Sequence, residues 1–334
     1  MIDQFVERLH NLRVKQRISH LLQLFLLMTF SSFLFAACHH SALQKQPTQV
    51  KLPDCRVVEH KLGETCVPRQ PQRVIALGVS WTLDPVLALG LKPVATSDFR
   101  FGNGQYLPGL SDAEVAGIET VGAEHQPSLE RILRLKPDVV IALDLDPRLY
   151  ESISTIAPTV VREFEKIKFS FKDNFRSIAQ LLNREEAAEK VLDRYEEKVK
   201  SLRERLESQS QKPEVSVIYH VGGQFQAPAS EAICFQVLND LNVRIKSVFL
   251  NQTEYLPISI EVISEYDADI LFIVDFDSKP SSYFLQNPLI ASLKSSKNQQ
   301  AYAVGADTWF PFGPLGVDKL LDDLEEYLVN EKGE

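Results

Sequence analysis

The chain has 334 residues, 44% hydrophobic and 24% charged, with 45 acidic against 36 basic side chains and a net charge of −9. That is an ordinary globular balance, with length for two domains of about 150 residues each. No Lys/Arg stripe with interleaved aromatics occurs, which excludes nucleic acid as the expected partner.

The first 40 residues depart from this balance. Arg8, Arg13, Lys15 and Arg17 precede an uncharged apolar run from Leu21 to Ala37, followed directly by Cys38. A basic segment, an apolar stretch and small residues before a break form a secretory signal. Ala36-Ala37-Cys38 resembles the bacterial lipobox, in which the Cys becomes the lipidated N-terminus, although Phe35 stands where Leu is usual. Residues 1–37 are therefore expected to be a lipoprotein signal peptide and Cys38 the lipidation site. Residues 38–54, polar with Pro47 and Pro53, read as a tether. A retained membrane anchor is the alternative, and a run of about 17 residues is at the short limit for a span. Either way the bulk of the chain is expected outside the cytoplasm, in the periplasm or on the outer face of the cytoplasmic membrane. Without residues 1–37, 32 basic side chains face 43 acidic ones, a net charge of −11.

Cys55 and Cys66 bracket a short segment in an exported chain, where disulfides persist, and are expected to pair. Cys234 lies in the apolar stretch Ala232–Phe235 and reads as a buried free thiol. No Cys-x-x-Cys occurs, which disfavours a thiolate zinc site.

Between the cysteine pair, Arg56 to Gly63 suggests a small strand pair. Arg73 to Leu77 is a short apolar run with the signature of a buried strand. Thr82 to Leu89 reads as a helix stopped by Gly90. A strand begins at Lys92, a helix spans Ser128 to Leu135, and Val139 to Ala142 is another strand. Short strands alternating with helices imply parallel α/β units. Phe171 to Ser208 reads as helical with one interruption at Asn183, which with Glu186 predicts an N-cap and its capping-box partner. A helix over 184–208 spans about 37 Å, with one apolar stripe through Ala188, Leu192, Tyr195, Val199, Leu202 and Leu206. Beyond Pro213 the alternation resumes, with strands over Glu214–Tyr219 and Ile270–Val274. Helices are expected over Ala232–Leu241 and Asp318–Val329.

Two segments echo each other 131 positions apart. Ser128-Leu129-Glu130-Arg131-Ile132 answers Ser259-Ile260-Glu261-Val262-Ile263, and Pro137-Asp138-Val139-Val140-Ile141 answers Ala268-Asp269-Ile270-Leu271-Phe272. Each half thus holds a capped short helix, then an Asp entering a buried strand. The period is too long for a solenoid and fits two similar lobes.

Together with Pro71–Ile75, Ala88–Val94, Val121-Gly122, Pro127–Leu133, Leu135–Ile141 and Pro158–Val160, these segments resemble the iron-siderophore and vitamin B12 class of periplasmic binding proteins over about residues 71 to 328. The resemblance implies an α/β fold of two lobes with small parallel sheets flanked by helices, joined by one long rigid helix, with ligand in the cleft. The lobes would span 55–165 and 213–330, with a helical segment over 166–212 containing the inter-lobe helix 184–208. It implies a monomer that captures a ferric-siderophore complex and delivers it to the permease of an ABC importer. Acidic residues at the positions of Glu130 and Glu261 would meet that permease. The paired-cysteine insert looks like a feature of cyanobacterial members.

Motifs for hydrolysis, phosphate binding and zinc catalysis are absent: no Gly-x-Ser-x-Gly, Gly-x-x-x-x-Gly-Lys or His-Glu-x-x-His. Outside the paired-cysteine insert with its His60, only His125 and His220 fall in the lobes, too few for a bare-metal cage, so no protein-held metal or cofactor is expected beyond the Cys38 lipid. A haem or corrinoid carrier of the same fold stays open through Tyr219-His220, and an extracytoplasmic enzyme is the third reading. Open α/β sheets place ligands at strand ends. The candidate ligand residues there are Trp81, Arg100, Tyr106, His220, Phe225 and Trp309: aromatics give flat apolar surface, and an Arg matches an anionic complex. The siderophore itself, whether citrate, hydroxamate or catecholate, is not written in these residues.

Overall fold

In the computed structural model the described residues are 54–329, apart from 99, 102–103, 106, 108, 168–169 and 210–211. The expected signal peptide, Cys38 and nearly all of the tether lie outside them. None of the described helices is long and apolar enough to cross a membrane.

Two sheets organise the chain. The first has the spatial order Thr159–Arg162, Val139–Leu143, Val74–Ala76, Ala95–Asp98, Glu119–Ala123, Gln126–Pro127. Its first five strands are parallel and the last is antiparallel. The second runs Leu256–Ile258, Gln224–Ala227, Glu214–Val221, Ile270–Asp275, Ala301–Gly305, the last three parallel. The central parallel strands Val74–Ala76, Val139–Leu143 and Ile270–Asp275 are nearly continuous apolar runs because both their faces are covered. In the first lobe Val139 and Ile141 meet Phe175 and Ile178 of the helix Phe171–Leu182, while Val140 and Ala142 point the other way toward Ile132 and Ile153. Side chains alternate along a strand, so one apolar run serves two cores.

The cysteine-bearing segment is an antiparallel hairpin, Cys55–His60 against Gly63–Pro68, closed by a disulfide between Cys55 and Cys66 with Cα atoms 5.6 Å apart. Cys234 is free and buried, and burial pushes its thiol up to about 11.

The long helix spans Glu185–Glu207. Its buried stripe changes allegiance along its length: Ala188 and Leu192 belong to the first lobe's core, Tyr195, Val199, Leu202 and Leu206 to the second's. Asn183 does not cap this helix. It ends the preceding one in a left-handed conformation (φ 54°), its N–H reaching the carbonyls of Ala179 and Gln180. Asn tolerates that conformation better than most residues, and Arg184 is left as an N-cap without a side-chain bond.

The last helix, Pro314–Leu328, starts four residues earlier than expected, with Pro at its first position. It docks on the first half of the chain. Asp84, fully buried, accepts the N–H groups of Leu315 (3.0 Å) and Gly316 (2.9 Å), and Lys319 reaches Glu114 (2.7 Å) and the Gly109 carbonyl (2.9 Å).

The internal echo has a structural counterpart. Asp138 accepts N–H bonds from Gln72 (2.7 Å) and Arg73 (3.0 Å) at the start of the neighbouring strand, and Asp269 accepts one from Glu214 (2.9 Å) at the matching place. The helices before them differ. Ser128 caps Leu129–Leu135 through the Arg131 N–H, whereas Ile260–Tyr266 is a 3₁₀ helix whose Ser259 hydroxyl bonds the Glu261 carboxylate instead. The expected second helix cap is thus a side-chain contact.

Candidate functional site

The strand Val74–Ala76 runs into Gly78, which adopts φ 98° and opens a π-helical turn over Val79–Leu83. Only glycine takes that φ without strain, and a Cβ here would meet Glu124 at 3.1 Å. The turn sets Trp81 at the strand ends, where it packs edge-on against Phe164 (5.7 Å) and Phe312 (4.9 Å).

These rings wall a cavity of about 270 Å³ between the two sheets' strand ends. Trp81 and Phe164 come from the first lobe, and Tyr219, Tyr255, Phe310 and Phe312 from the second. Tyr219 meets Tyr255 at 5.9 Å and Phe310 at 5.6 Å, and Phe310 meets Phe312 at 4.7 Å. The Tyr219 hydroxyl lies 3.5 Å from the Cys234 sulfur. Glu231 and Glu254 add acid at the lining. The arrangement offers flat, edge-joined apolar surface to a bulky ligand.

A larger cavity, about 580 Å³, lies between the disulfide hairpin and the helix Phe171–Leu182. Its lysines already pair with carboxylates, Lys61 with Asp144 and Lys166 with Glu163, and it lacks an aromatic wall.

Of the residues singled out from sequence, Trp81 lies in the aromatic cavity. Trp309 lines the same cavity only as its floor: it is 0% exposed, packs at a tilt against Phe272 with ring centroids 4.2 Å apart, and donates its indole N–H to Asp323 at 2.9 Å. It sits in a short helix, Ala306–Trp309, not in a loop. His220 and Phe225 do not line the cavity. Neighbours on a strand face opposite ways, so Tyr219 takes the cavity side and His220 the other. The His220 ring is buried against Phe225, Tyr283 and Phe284. Arg100 has its backbone in a two-residue strand paired with Gly104–Gln105, and its side chain, like Tyr106, lies outside the described residues. Reading by residue type missed Tyr255, Phe164 and Phe312, and named Tyr219 only beside His220 for the haem reading. For Tyr219 the signal was present, since it adjoins His220 at a strand end, but nothing in the sequence says which of two neighbours faces the cleft.

His220 Nδ1 lies 3.0 Å from Asp275 and 3.3 Å from Asp277, a cluster with the composition of a metal site. The surroundings read otherwise. Asp277 already accepts the N–H groups of Gly222 and Gly223, and Asp275 those of Asp277 and Lys279. A ligating imidazole donates its second N–H to an acceptor, whereas His220 Nε2 is buried with no partner among the described residues. A proton on Nδ1, donated to the carboxylates, fits both facts and ties the two strand ends together.

Glu130 and Glu261 are exposed, one per lobe, and no basic side chain pairs with either among the described residues. Beside them stand exposed apolar residues, Leu129 and Leu133 in one lobe and Val262 in the other.

The sequence profile of the periplasmic binding protein family matches residues 86–308. Over 330 residues, 94% of this chain and 99% of the relative, the chain is 27% identical to the probable siderophore-binding lipoprotein YfiY of Bacillus subtilis (strain 168). It is 31% identical over 272 residues to the achromobactin-binding periplasmic protein of Dickeya dadantii (strain 3937), covering 76% of this chain and 85% of the relative. Among solved structures, Staphylococcus aureus SirA complexed with staphyloferrin B superposes with a TM-score of 0.66 at 25% identity, covering 82% of this chain and 98% of SirA.

Proposed function

The chain belongs to the periplasmic binding protein family, and from that membership we propose that it captures a ferric-siderophore-type complex outside the cytoplasm and hands it to an ABC importer. It is a binding protein and not an enzyme. The observation that carries the ligand reading is the aromatic cavity between the strand ends, where open α/β sheets hold ligands. The relatives' names, with siderophore and achromobactin among them, support it. Trp81 is the contact we assign first, with Arg100 and Tyr106 proposed at the rim. Trp309, His220 and Phe225 support the fold around the cavity. A haem or corrinoid reading loses His220, whose ring faces away from the cavity, and keeps Tyr219, which lines it.

Delivery requires contact with the membrane subunits, and we assign it to Glu130 and Glu261. Their exposure, their matched places before the Asp-led strands and the apolar residues beside them support that role. A lipid on Cys38 would hold the protein at the outer face of the membrane. Relatives named as lipoproteins support this. The experiment is a titration of tryptophan emission with ferric citrate, ferric hydroxamates, ferric catecholates, haem and cobalamin. Saturable quenching by one ferric class is expected. Quenching by haem or cobalamin alone overturns the siderophore reading.

A further inference from the structure

Arg162 ends the edge strand Thr159–Arg162 with its side chain buried (7% exposed). No carboxylate pairs with it among the described residues, and it lines the larger cavity beside the disulfide hairpin and not the aromatic one. Burial without a counter-charge pushes it down to about 9. A buried charge without an acid partner is costly, so its other contacts must account for it. One guanidinium nitrogen donates to the Trp81 carbonyl (3.4 Å), the other to the Asn174 side-chain oxygen and the Ser177 hydroxyl (2.7 Å). The Asn174 amide also donates to the Trp81 carbonyl (3.1 Å). Two buried donors from different elements thus converge on one backbone oxygen, in the middle of a π-helical turn. Such turns disturb the regular helical bonding and occur often at functional sites. Both donors fix the turn from behind while its Trp81 ring faces the cavity.

We propose that Arg162 is the positioning residue of the ligand cleft: through the Trp81 carbonyl, and with Asn174, it sets the plane of the Trp81 ring against which the ferric complex packs. The proposal rests on reading the aromatic cavity as the ligand site. Arg162 does not touch the ligand. Its contribution to affinity passes through Trp81.

The test is a double-substitution cycle in the mature protein. Arg162→Met, Trp81→Ala and the pair are compared for retention of radioiron-labelled ferric citrate, with circular dichroism and the unfolding midpoint recorded for each. Arg162→Met is expected to weaken retention about tenfold alone and to have no further effect once Trp81 is Ala, the non-additivity of residues that act through one another. Additive losses overturn the proposal, because a merely structural role would persist without the ring. A second arm needs no ligand. Trp309 is wholly buried, so acrylamide quenching of emission reports mainly on Trp81 and should rise in Arg162→Met. Lys at 162 reaches fewer acceptors and should fall between Arg and Met. Asn174→Ala, which removes the second donor, should raise quenching as well and replaces Arg162→Met if that variant does not fold. Quenching as in the wild type in these variants overturns the proposal. Failure of the wild type to retain ferric citrate counts against that complex as the ligand, and the acrylamide arm still decides the role of Arg162.

Discussion

Asp84 accepts the Gly316 N–H at 2.9 Å across 232 residues of sequence. The carboxylate sits on the first turn of the last helix, whose open N–H groups and dipole favour an anion. The approach is close on every side. A Cβ on Gly316 would lie 2.8 Å from the Gly109 Cα and 2.7 Å from the Pro311 Cβ. The contact therefore joins the first half of the chain to its end through a buried carboxyl group and a glycine.

Burial, ahead of the two backbone bonds that oppose it, pushes the Asp84 carboxyl up from 3.8 to about 7. Glu114 raises it further and Lys319 lowers it. A folded pKa above the unfolded one means that the native state binds the proton more tightly. The stability this confers is complete below about pH 4 and is lost as pH rises through about 7. The unfolding midpoint of the wild type should therefore fall relative to Asp84→Asn between pH 5 and pH 8. A gap that stays constant over that range shows that Asp84 does not titrate there.

Closing the short loop between Cys55 and Cys66 should stabilise the protein by about 3 kcal/mol in the chain-entropy description. Replacing both with Ser should lower the unfolding free energy by that order, measured in urea. Thiol titration of the denatured mature protein should find Cys234 as the one reactive thiol. Three reactive thiols would mean that the hairpin is open.

The two tryptophans should differ in their effect on binding. Trp81→Ala removes cavity wall and should weaken the ferric complex about tenfold or more, and because its ring is also packed in the core it should lower the midpoint as well. Trp309→Phe removes a buried N–H bond to Asp323 and should cost about 1–3 kcal/mol of stability while leaving affinity near wild type. Arg100→Ala should weaken an anionic ferric complex by about 2–5 kcal/mol if the guanidinium is buried against it. Titration calorimetry beside thermal melts reads all three.

The double change Glu130→Ala, Glu261→Ala should leave folding and ligand affinity intact and abolish uptake, or stimulation of the importer's ATPase. Lys at both positions should be worse than Ala, since the partner surface would then face like charge. Each Glu also sits in a helix's first turn, where a local role is worth about 0.3–1 kcal/mol. Normal uptake by the double variant would leave only that role.

Much of the architecture was legible because strand burial on both faces forces continuous apolar runs, as at Val139–Leu143 and Ile270–Asp275. The long helix was legible from a stripe at helical spacing. Asn183 misled because Asn serves equally at an N-cap and in a left-handed C-cap, and only the backbone decides between them. The cleft was half legible. Trp81 stands out as a residue seldom spent on a loop, but Phe164, Phe312 and Tyr255 are ordinary aromatics until the lobes bring them together. Trp309 stood out for the same reason as Trp81 and proved to be a core residue, since a tryptophan's size suits a core as well as a binding surface.

The long helix gives its first buried side chains to one lobe and its later ones to the other. Neither half can close its core without a part of the same rod. Melting one half would strip the other of a wall, so the described chain should lose its structure in a single cooperative step, and a fragment cut at the helix should not fold alone. What looks like a pair of modules should then melt as one thermodynamic unit.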